Sequence, residues 1–188
     1  MRVTPNQLTF LRILLALIIP VFIFHRTLGS EAAAILAFVA ACVTDWWDGH
    51  IARRNSMITP LGKILDPLAD KLLILGSMLS FAGVGLYSYG WVLLIVFREV
   101  VVTAMRVVLL QRGRVVAAEQ AGKIKFGFQV GSITATFIYS CLFFLKDPQG
   151  NLFLFWRGVH YLGIILANVI TVYSGVIFFY RLAKNRGK

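Results

Sequence analysis

Six long apolar runs, separated by short polar breaks, constrain this chain more than any other feature of it. They extend roughly over Gln7 to Phe24, Ala32 to Ala52, Leu61 to Val84, Trp91 to Leu110, Ile124 to Leu145 and Gly158 to Tyr180. A helix that crosses a bilayer needs about 20 mostly apolar residues, with about 17–25 as the usual range, and each run falls within it. None alternates with period two, and an apolar run this long satisfies its own backbone hydrogen bonds only as a helix. The breaks carry turn chemistry: His25 to Ser30, Asn55 to Pro60, Gly83 to Gly90, Arg112 to Gly122, and Lys146 to Asn151 with its Asp-Pro-Gln-Gly. Composition agrees, since 59% of the 188 residues are hydrophobic and 14% charged, against about 45–50% apolar in soluble domains. The fold expected is an all-α integral membrane protein of six transmembrane helices. It forms a single six-helix transmembrane domain over residues 1–188, with no internal repeat and no separate soluble domain.

The formal charge is +11, from 19 Lys and Arg against 8 Asp and Glu. On a soluble surface that balance would point to nucleic acid. Here the bases flank apolar runs, so no nucleic acid is expected, and the partners implied are membrane lipids and phosphate groups. Arg2, Arg53, Arg54, Lys63, Arg112, Arg114, Lys123, Lys125, Arg181, Lys184, Arg186 and Lys188 fall on one side, 12 in all, against Arg26, Lys146 and Arg157 on the other. By the positive-inside rule both termini are cytoplasmic, and the chain is a multi-pass protein of the inner (cytoplasmic) membrane. Trp91, Trp156, Tyr87 and Tyr89 suit an aromatic belt at the opposite face. The first run is longer than a signal-peptide core of about 7–15 residues, contains Arg12 and is followed by further spans, so it is read as a retained helix. Cys42 and Cys141 lie far apart in apolar stretches, which excludes a disulfide framework and a cysteine zinc site. His25, His50 and His160 show no ligand spacing.

An Asp, Arg or Lys at the centre of a spanning helix costs about 2.5–3.5 kcal/mol on insertion scales and marks function by default. Four of the acids, Asp45, Asp48, Asp66 and Asp70, fall within 26 residues. Asp45 and Asp48 are three apart, Gly49 and Ala52 continue that face of the second helix, and Gly62, Asp66 and Asp70 follow at four-residue intervals in the third. A short cytoplasmic loop joins the two helices, so the four carboxylates share a depth. Acids this close repel unless cations hold them, and oxygen-only ligands suit hard divalent ions such as Mg²⁺ or Mn²⁺. Two divalent ions balance four negative charges, and a two-metal clamp, with ions about 3.5–4 Å apart, is the usual device for in-line displacement at phosphorus. Gly49, Ala52 and Gly62 leave room for a phosphate or nucleotide near the backbone, or else serve close helix packing. The plain alternative for the acids is ion pairing with Lys71, Arg53 or other bases within the membrane.

Written out, Asp45-x2-Asp48-Gly49-x2-Ala52-Arg53-x8-Gly62-x3-Asp66-x3-Asp70 resembles, without a gap, the signature of the CDP-alcohol phosphotransferase family. The resemblance extends over the six-helix length of the chain. It implies an enzyme that transfers a phosphatidyl group from CDP-diacylglycerol to a small alcohol and releases CMP. It implies further that Asp45, Asp48 and Asp66 carry the divalent ions, with Asp70 both metal ligand and general base. Gly49, Ala52 and Arg53, with Gly62, would belong to the nucleotide pocket, and the protein would be a homodimer.

The acceptor is read from the rest of the chain. The fourth run carries Arg98-Glu99 and then Arg106, which shares a helical face with Arg98; the fifth opens with Gly122-Lys123-Ile124-Lys125. Fixed cations at active-site depth suit a doubly charged phosphate monoester, whereas a neutral polyol needs hydrogen-bonding side chains. Together with Pro5-Asn6-Gln7-Leu8-Thr9 and Arg12 in the first helix, and Leu65-Asp66-Pro67-Leu68-Ala69-Asp70-Lys71-Leu72 in the third, the pattern is similar to the bacterial branch of the family whose acceptor is sn-glycerol 3-phosphate. Members of that branch commonly have Thr after Gly-Lys-x-Lys, where this chain has Phe126. Phosphatidylglycerol, giving cardiolipin, and inositol phosphate stand as alternative acceptors. A small divalent-cation transporter built on the same four Asp is the reading from another class. Single bases also have plain readings: Arg12 snorkelling or touching a phosphate, Arg98 pairing with Glu99, Lys123 and Lys125 as ordinary cytoplasmic bases, and Asn6 and Thr9 as helix caps.

Overall fold

The computed structural model describes residues 5–55, 60–111, 120–145 and 150–184, and the side chains of 9–44, 65–111, 122–145 and 150–184. They form six helices: α1 (Pro5–His25), α2 (Leu28–Asn55), α3 (Pro60–Gly83), α4 (Tyr89–Gln111), α5 (Gln120–Phe144) and α6 (Asn151–Lys184). No strand occurs among the described residues. The helix ends have local causes. The Ser30 N–H donates to Thr27 Oγ1 (3.1 Å) and the Thr27 N–H to Ser30 Oγ (3.0 Å). This reciprocal capping arrangement starts α2 at Leu28 instead of the expected Ala32. Pro60 opens α3, where its missing N–H costs nothing. Gly85 turns the chain between α3 and α4 at φ +79°, a conformation that suits glycine. The largest departure is α6, which begins at Asn151 instead of Gly158 and runs on for 34 residues, about 51 Å at the helical rise. Trp156 and Arg157 therefore lie inside it.

Helix α1 packs against both α2 and α3, α5 pairs with α6, α4 rests on α6 and α3, and both α2 and α3 touch α5. One apolar cluster runs through this arrangement, with Ile19, Ile23, Phe38, Met78, Phe81, Ile95, Ile133 and Phe137 all fully buried. The Phe137 ring lies 5.7 Å from that of Phe38 and 4.8 Å, edge-on, from that of Phe81, so one side chain joins α2, α3 and α5 in a favoured aromatic geometry. A smaller cluster of Val102, Leu109 and Phe178 joins α4 to α6. At the other end of α1, Arg26 lies 3.5 Å from the fully buried Glu31 and over the ring of Phe144.

The surface is inverted relative to a soluble protein. Phe10, Val21, Leu36, Phe97, Val176 and Tyr180 are between 62% and 71% exposed, while Ser77, Ser132, Thr136, His160, Asn168, Thr171 and Ser174 are exposed by 2% or less. Apolar outside and polar within is the arrangement expected when the surrounding solvent is hydrocarbon. Buried hydroxyls close onto backbone carbonyls, Ser77 onto Leu73 (2.7 Å) and Thr136 onto Ser132 (2.8 Å). Tyr87, expected in an aromatic belt with Tyr89, Trp91 and Trp156, is instead buried. Its hydroxyl meets Ser132 (2.9 Å) and Thr136 (2.6 Å), and its ring stacks on His160, which also stacks on Tyr139.

By length and composition, α5 over Gly122–Phe144 and α6 are apolar enough to cross a membrane; Thr9–His25 and Leu28–Thr44 are shorter apolar stretches. Helices α3 and α4 are interrupted by Asp66, Asp70 and Lys71 and by Arg98, Glu99 and Arg106. The all-helical class and the six helices agree with the sequence reading. Apolar length sufficient for a span is found in two of them among the described residues, because α3 and α4 spend their interior positions on charge. Truncation of the three-helix contact, Phe137→Ala, is expected to cost about 3–5 kcal/mol. Thermal unfolding in detergent should show it as a clear fall in Tm, while Val169→Ala, on the exposed side of α6, should barely move the transition.

Candidate functional site

Asp66 and Asp70 stand one turn apart on α3 and so face the same way. Helix α1 packs along that face and meets both. Thr9 Oγ1 donates to Asp66 Oδ1 at 2.6 Å, and the Arg12 guanidinium donates to Asp70 Oδ1 at 3.1 Å. Thr9 and Arg12 are themselves exposed by only 3% and 1%. Arg12 therefore does not snorkel to the surface, and Thr9, in the second turn of α1, is not a cap. Both hold carboxylates.

Asp70 also lies at the edge of a cavity of about 610 Å³ between α3, α4, α5 and α6. Its lining includes Pro67 and Lys71 from α3, Arg98, Glu99, Thr103 and Arg106 from α4, Lys123, Lys125, Phe126 and Gln129 from α5, and Phe178 from α6. All four bases expected to take an acceptor phosphate, Arg98, Arg106, Lys123 and Lys125, are brought to this one space. They are held differently. Lys125 is buried and donates to Glu99 Oε1. Arg98 donates to the same Oε1 at 3.2 Å and to Ser174 Oγ at 2.6 Å. The Arg106 guanidinium lies 5.7 Å from the centre of the Phe178 ring, within cation–π range, and Lys123 is exposed. Phe126, the residue that follows Gly-Lys-x-Lys in this chain, is part of the lining.

Sequence reasoning missed several members of this lining. Lys71, considered only as a partner for the acids, donates to Thr103 Oγ1. Gln129 donates to Thr171 Oγ1 at 3.2 Å. Phe178 enters the lining from α6, and Ser174 of the same helix, outside the lining, holds Arg98. Their signal was present as polar residues at four-residue spacing, Glu99 with Thr103 and Lys125 with Gln129, which place two functional groups on one stripe.

Asp45, Asp48, Gly49, Ala52 and Arg53 fall within helix α2 and Gly62 within α3, but their side chains lie outside the described residues. No group of three or more His, Cys, Asp or Glu able to hold a metal ion comes together among the described residues. The donor chemistry of the described part fits a hard divalent cation, since Asp66 and Asp70 offer carboxylate oxygens from successive turns, one exposed and one at a cavity mouth.

The sequence matches the family described as CDP-alcohol phosphatidyltransferase over residues 2–178, and this chain belongs to that family. It is 36% identical to the CDP-diacylglycerol–glycerol-3-phosphate 3-phosphatidyltransferase of Bacillus subtilis, over 84% of this chain and 88% of that relative. With the protein of the same name from Pseudomonas fluorescens it shares 33% identity, over 90% and 85% of the two chains. The Mycoplasma pneumoniae protein of that name is 28% identical over 96% and 87%. The family is membrane-associated and generally depends on a divalent metal.

A snorkelling arginine could be replaced silently, whereas one bonded to Asp70 could not. Arg12→Gln removes a charge-assisted contact and is expected to lower kcat/KM by roughly 10- to 150-fold. Arg12→Lys should recover only part of it, because an ammonium lacks the planar guanidinium fork. Steady-state turnover of the purified variants measures this, with thermal unfolding followed alongside to separate lost activity from the stability lost with the buried pair.

Proposed function

We propose that this chain transfers the phosphatidyl group of CDP-diacylglycerol to sn-glycerol 3-phosphate, forming phosphatidylglycerophosphate and CMP. The observation that carries the reading is that one cavity has Asp70, Arg98, Arg106, Lys123 and Lys125 together in its lining. A phosphate monoester suits that concentration of positive charge, and the acceptor hydroxyl suits the carboxylate. The curated relatives bear the name of this reaction, so phosphatidylglycerol, inositol phosphate and divalent-cation transport are not favoured.

In the mechanism, the basic residues bind the phosphate of the acceptor and leave its terminal hydroxyl toward Asp70. Asp70 takes the hydroxyl proton as the oxygen forms a bond to the phosphorus bearing diacylglycerol. The bond from that phosphorus to the bridging oxygen breaks, and CMP leaves with the electron pair. Arg12 and Thr9 orient the α3 carboxylates throughout. Gly49, Ala52, Arg53 and Gly62 would receive the nucleotide, with the Arg53 charge stabilising CMP as it leaves. Asp45, Asp48, Asp66 and Asp70 would hold divalent ions, two Mg²⁺ or Mn²⁺, which when bound supply charge neutralisation at the transferring group.

The same reading covers the cellular setting. The chain is a single catalytic unit of six membrane-spanning helices in the inner membrane, working as a homodimer, with both termini and the active site cytoplasmic. The excess of Lys and Arg on one side and the apolar exterior of the bundle support the membrane placement and orientation, and the homodimer rests on the family resemblance.

The decisive experiment incubates purified protein with CDP-diacylglycerol and, separately, sn-glycerol 3-phosphate, glycerol, phosphatidylglycerol or inositol phosphate, and follows CMP. Release is expected with sn-glycerol 3-phosphate and little with the others; equal release with glycerol would remove the proposal. Replacing Arg98, Arg106, Lys123 or Lys125 singly by Gln should reduce kcat/KM for the acceptor by roughly 10- to 150-fold and move the KM for CDP-diacylglycerol much less.

Turnover should also stop in excess chelator, return with Mg²⁺ or Mn²⁺, and return little with Ca²⁺, whose larger radius favours looser coordination. Asp70→Asn is expected to bind CDP-diacylglycerol while losing about 100-fold or more in turnover, the scale of a lost general base. Normal turnover by that variant would leave Asp70 without a catalytic part.

A further inference from the structure

Glu99 is an anion in a cavity that is also lined by Lys71, Arg98, Arg106, Lys123 and Lys125. By charge alone it opposes an anionic acceptor, so its burial there needs another physical reason. Its Oε1 accepts from both Arg98 and Lys125 and so ties α4 to α5. Arg98 is held from α6 as well, where Ser174 Oγ accepts from its guanidinium at 2.6 Å while donating to the Thr171 carbonyl. The next residue on α6 is Gly175. A Cβ built there would lie 3.3 Å from Arg98 Cγ and 3.4 Å from Arg98 Nε, closer than ordinary packing.

Arg98 borders a second space, apolar and about 530 Å³, between Leu94, Phe97 and Val101 of α4 and Val172, Val176 and Phe179 of α6. Its long side chain thus lies between a polar and an apolar space, and only the polar one offers its charge partners. Glu99 and Ser174 hold the guanidinium on the polar side, and the missing side chain of Gly175 leaves the passage for its stem.

We propose that Glu99, Ser174 and Gly175 are positioning residues of the acceptor site, which hold Arg98 and Lys125 in the geometry that receives a phosphate monoester. The inference rests on the acceptor reading given above. Lys and Arg side chains carry many rotamers, and cations already set by the protein lose less freedom when the phosphate binds. Glu99 supplies that order from one carboxylate oxygen, and α6 supplies the rest without contributing a charge.

The test measures KM for sn-glycerol 3-phosphate and for CDP-diacylglycerol by CMP release, using full-length Glu99→Gln, Ser174→Ala, Ser174→Thr, Gly175→Ala and Arg98→Gln proteins and the Arg98→Gln/Gly175→Ala double variant. The acceptor KM should rise about 10-fold in Glu99→Gln and about 3-fold or more in Ser174→Ala and Gly175→Ala, with the KM for CDP-diacylglycerol changed less than about 2-fold. Ser174→Thr keeps the hydroxyl and should recover part of what Ser174→Ala loses in acceptor KM, the added methyl group limiting the recovery. Because Gly175 acts through Arg98, Gly175→Ala should add nothing to Arg98→Gln, the non-additivity of residues that work through one contact. Independent, multiplying effects in the double variant, or equal rises in both KM values, would overturn the proposal. Should Glu99→Gln fail to fold, the Ser174 and Gly175 variants decide alone. If the unmodified protein released no CMP on addition of sn-glycerol 3-phosphate, the acceptor reading itself would fall, a result distinct from normal wild-type turnover with unmoved variants.

Discussion

Charge inside an apolar helical bundle is tolerated only with a partner, and in this protein that requirement decides the register at which helices meet. Arg12 is almost fully buried on α1 and reaches Asp70 on α3, and Thr9 reaches Asp66 one turn earlier. Those two bonds run along the same interface that buries Ile19 and Ile23 against Met78 and Phe81. Apolar packing brings α1 onto α3, and the polar pairs fix its register there, since a shift by one residue would turn Arg12 away from Asp70. Leaving one member of a buried pair unmatched costs more than the pair itself contributes. The polar contacts therefore act mainly to exclude wrong alignments.

The same logic places the cavity. The large apolar cluster holds α1, α2, α3 and α5 together, and the small one of Val102, Leu109 and Phe178 holds α4 to α6. Between them lies the stretch where α3, α4 and α5 each carry charge on their inner face, and there the helices enclose a polar space instead of closing on one another. Lys71, Arg98 and Lys125 come from three different helices and meet hydroxyl or carboxylate partners across helix boundaries. Away from the cavity, Ser77, Ser80 and Asn168 close onto carbonyls of their own helix, while the neutral groups of Tyr87, between α3 and α4, Thr136 of α5 and His160 of α6 bond from one element to another.

Much of the fold was legible in the sequence because its signals are one-dimensional. An apolar run of membrane length forms a helix whatever surrounds it, so six helices follow from six runs. The spacing of Asp66 and Asp70, and of Arg98 and Arg106, is likewise a property of a single helix. The helix ends were less legible. Thr27 and Ser30 start α2 early through side-chain caps, and α6 takes in Asn151 to Arg157, whose apolar Leu152 to Trp156 are separated from the longer apolar run by Arg157 and Gly158. Tyr87 looked like a belt residue because composition does not distinguish a tyrosine facing lipid from one bonded to Ser132 and Thr136.

By itself, then, the sequence determined the helical class, the carboxylate face of α3, the family and the bases meant for an acceptor, since each depends on periodicity or on a contiguous motif. Only the tertiary structure decided what those bases do at rest. That Arg12 holds Asp70, that Glu99 takes Lys125, and that Gly175 makes way for Arg98 are relations between residues on different helices, 26 to 77 positions apart in the chain. They depend on which helix faces which and at what register. That is set by the summed packing of side chains from all six helices, and no local spacing encodes it.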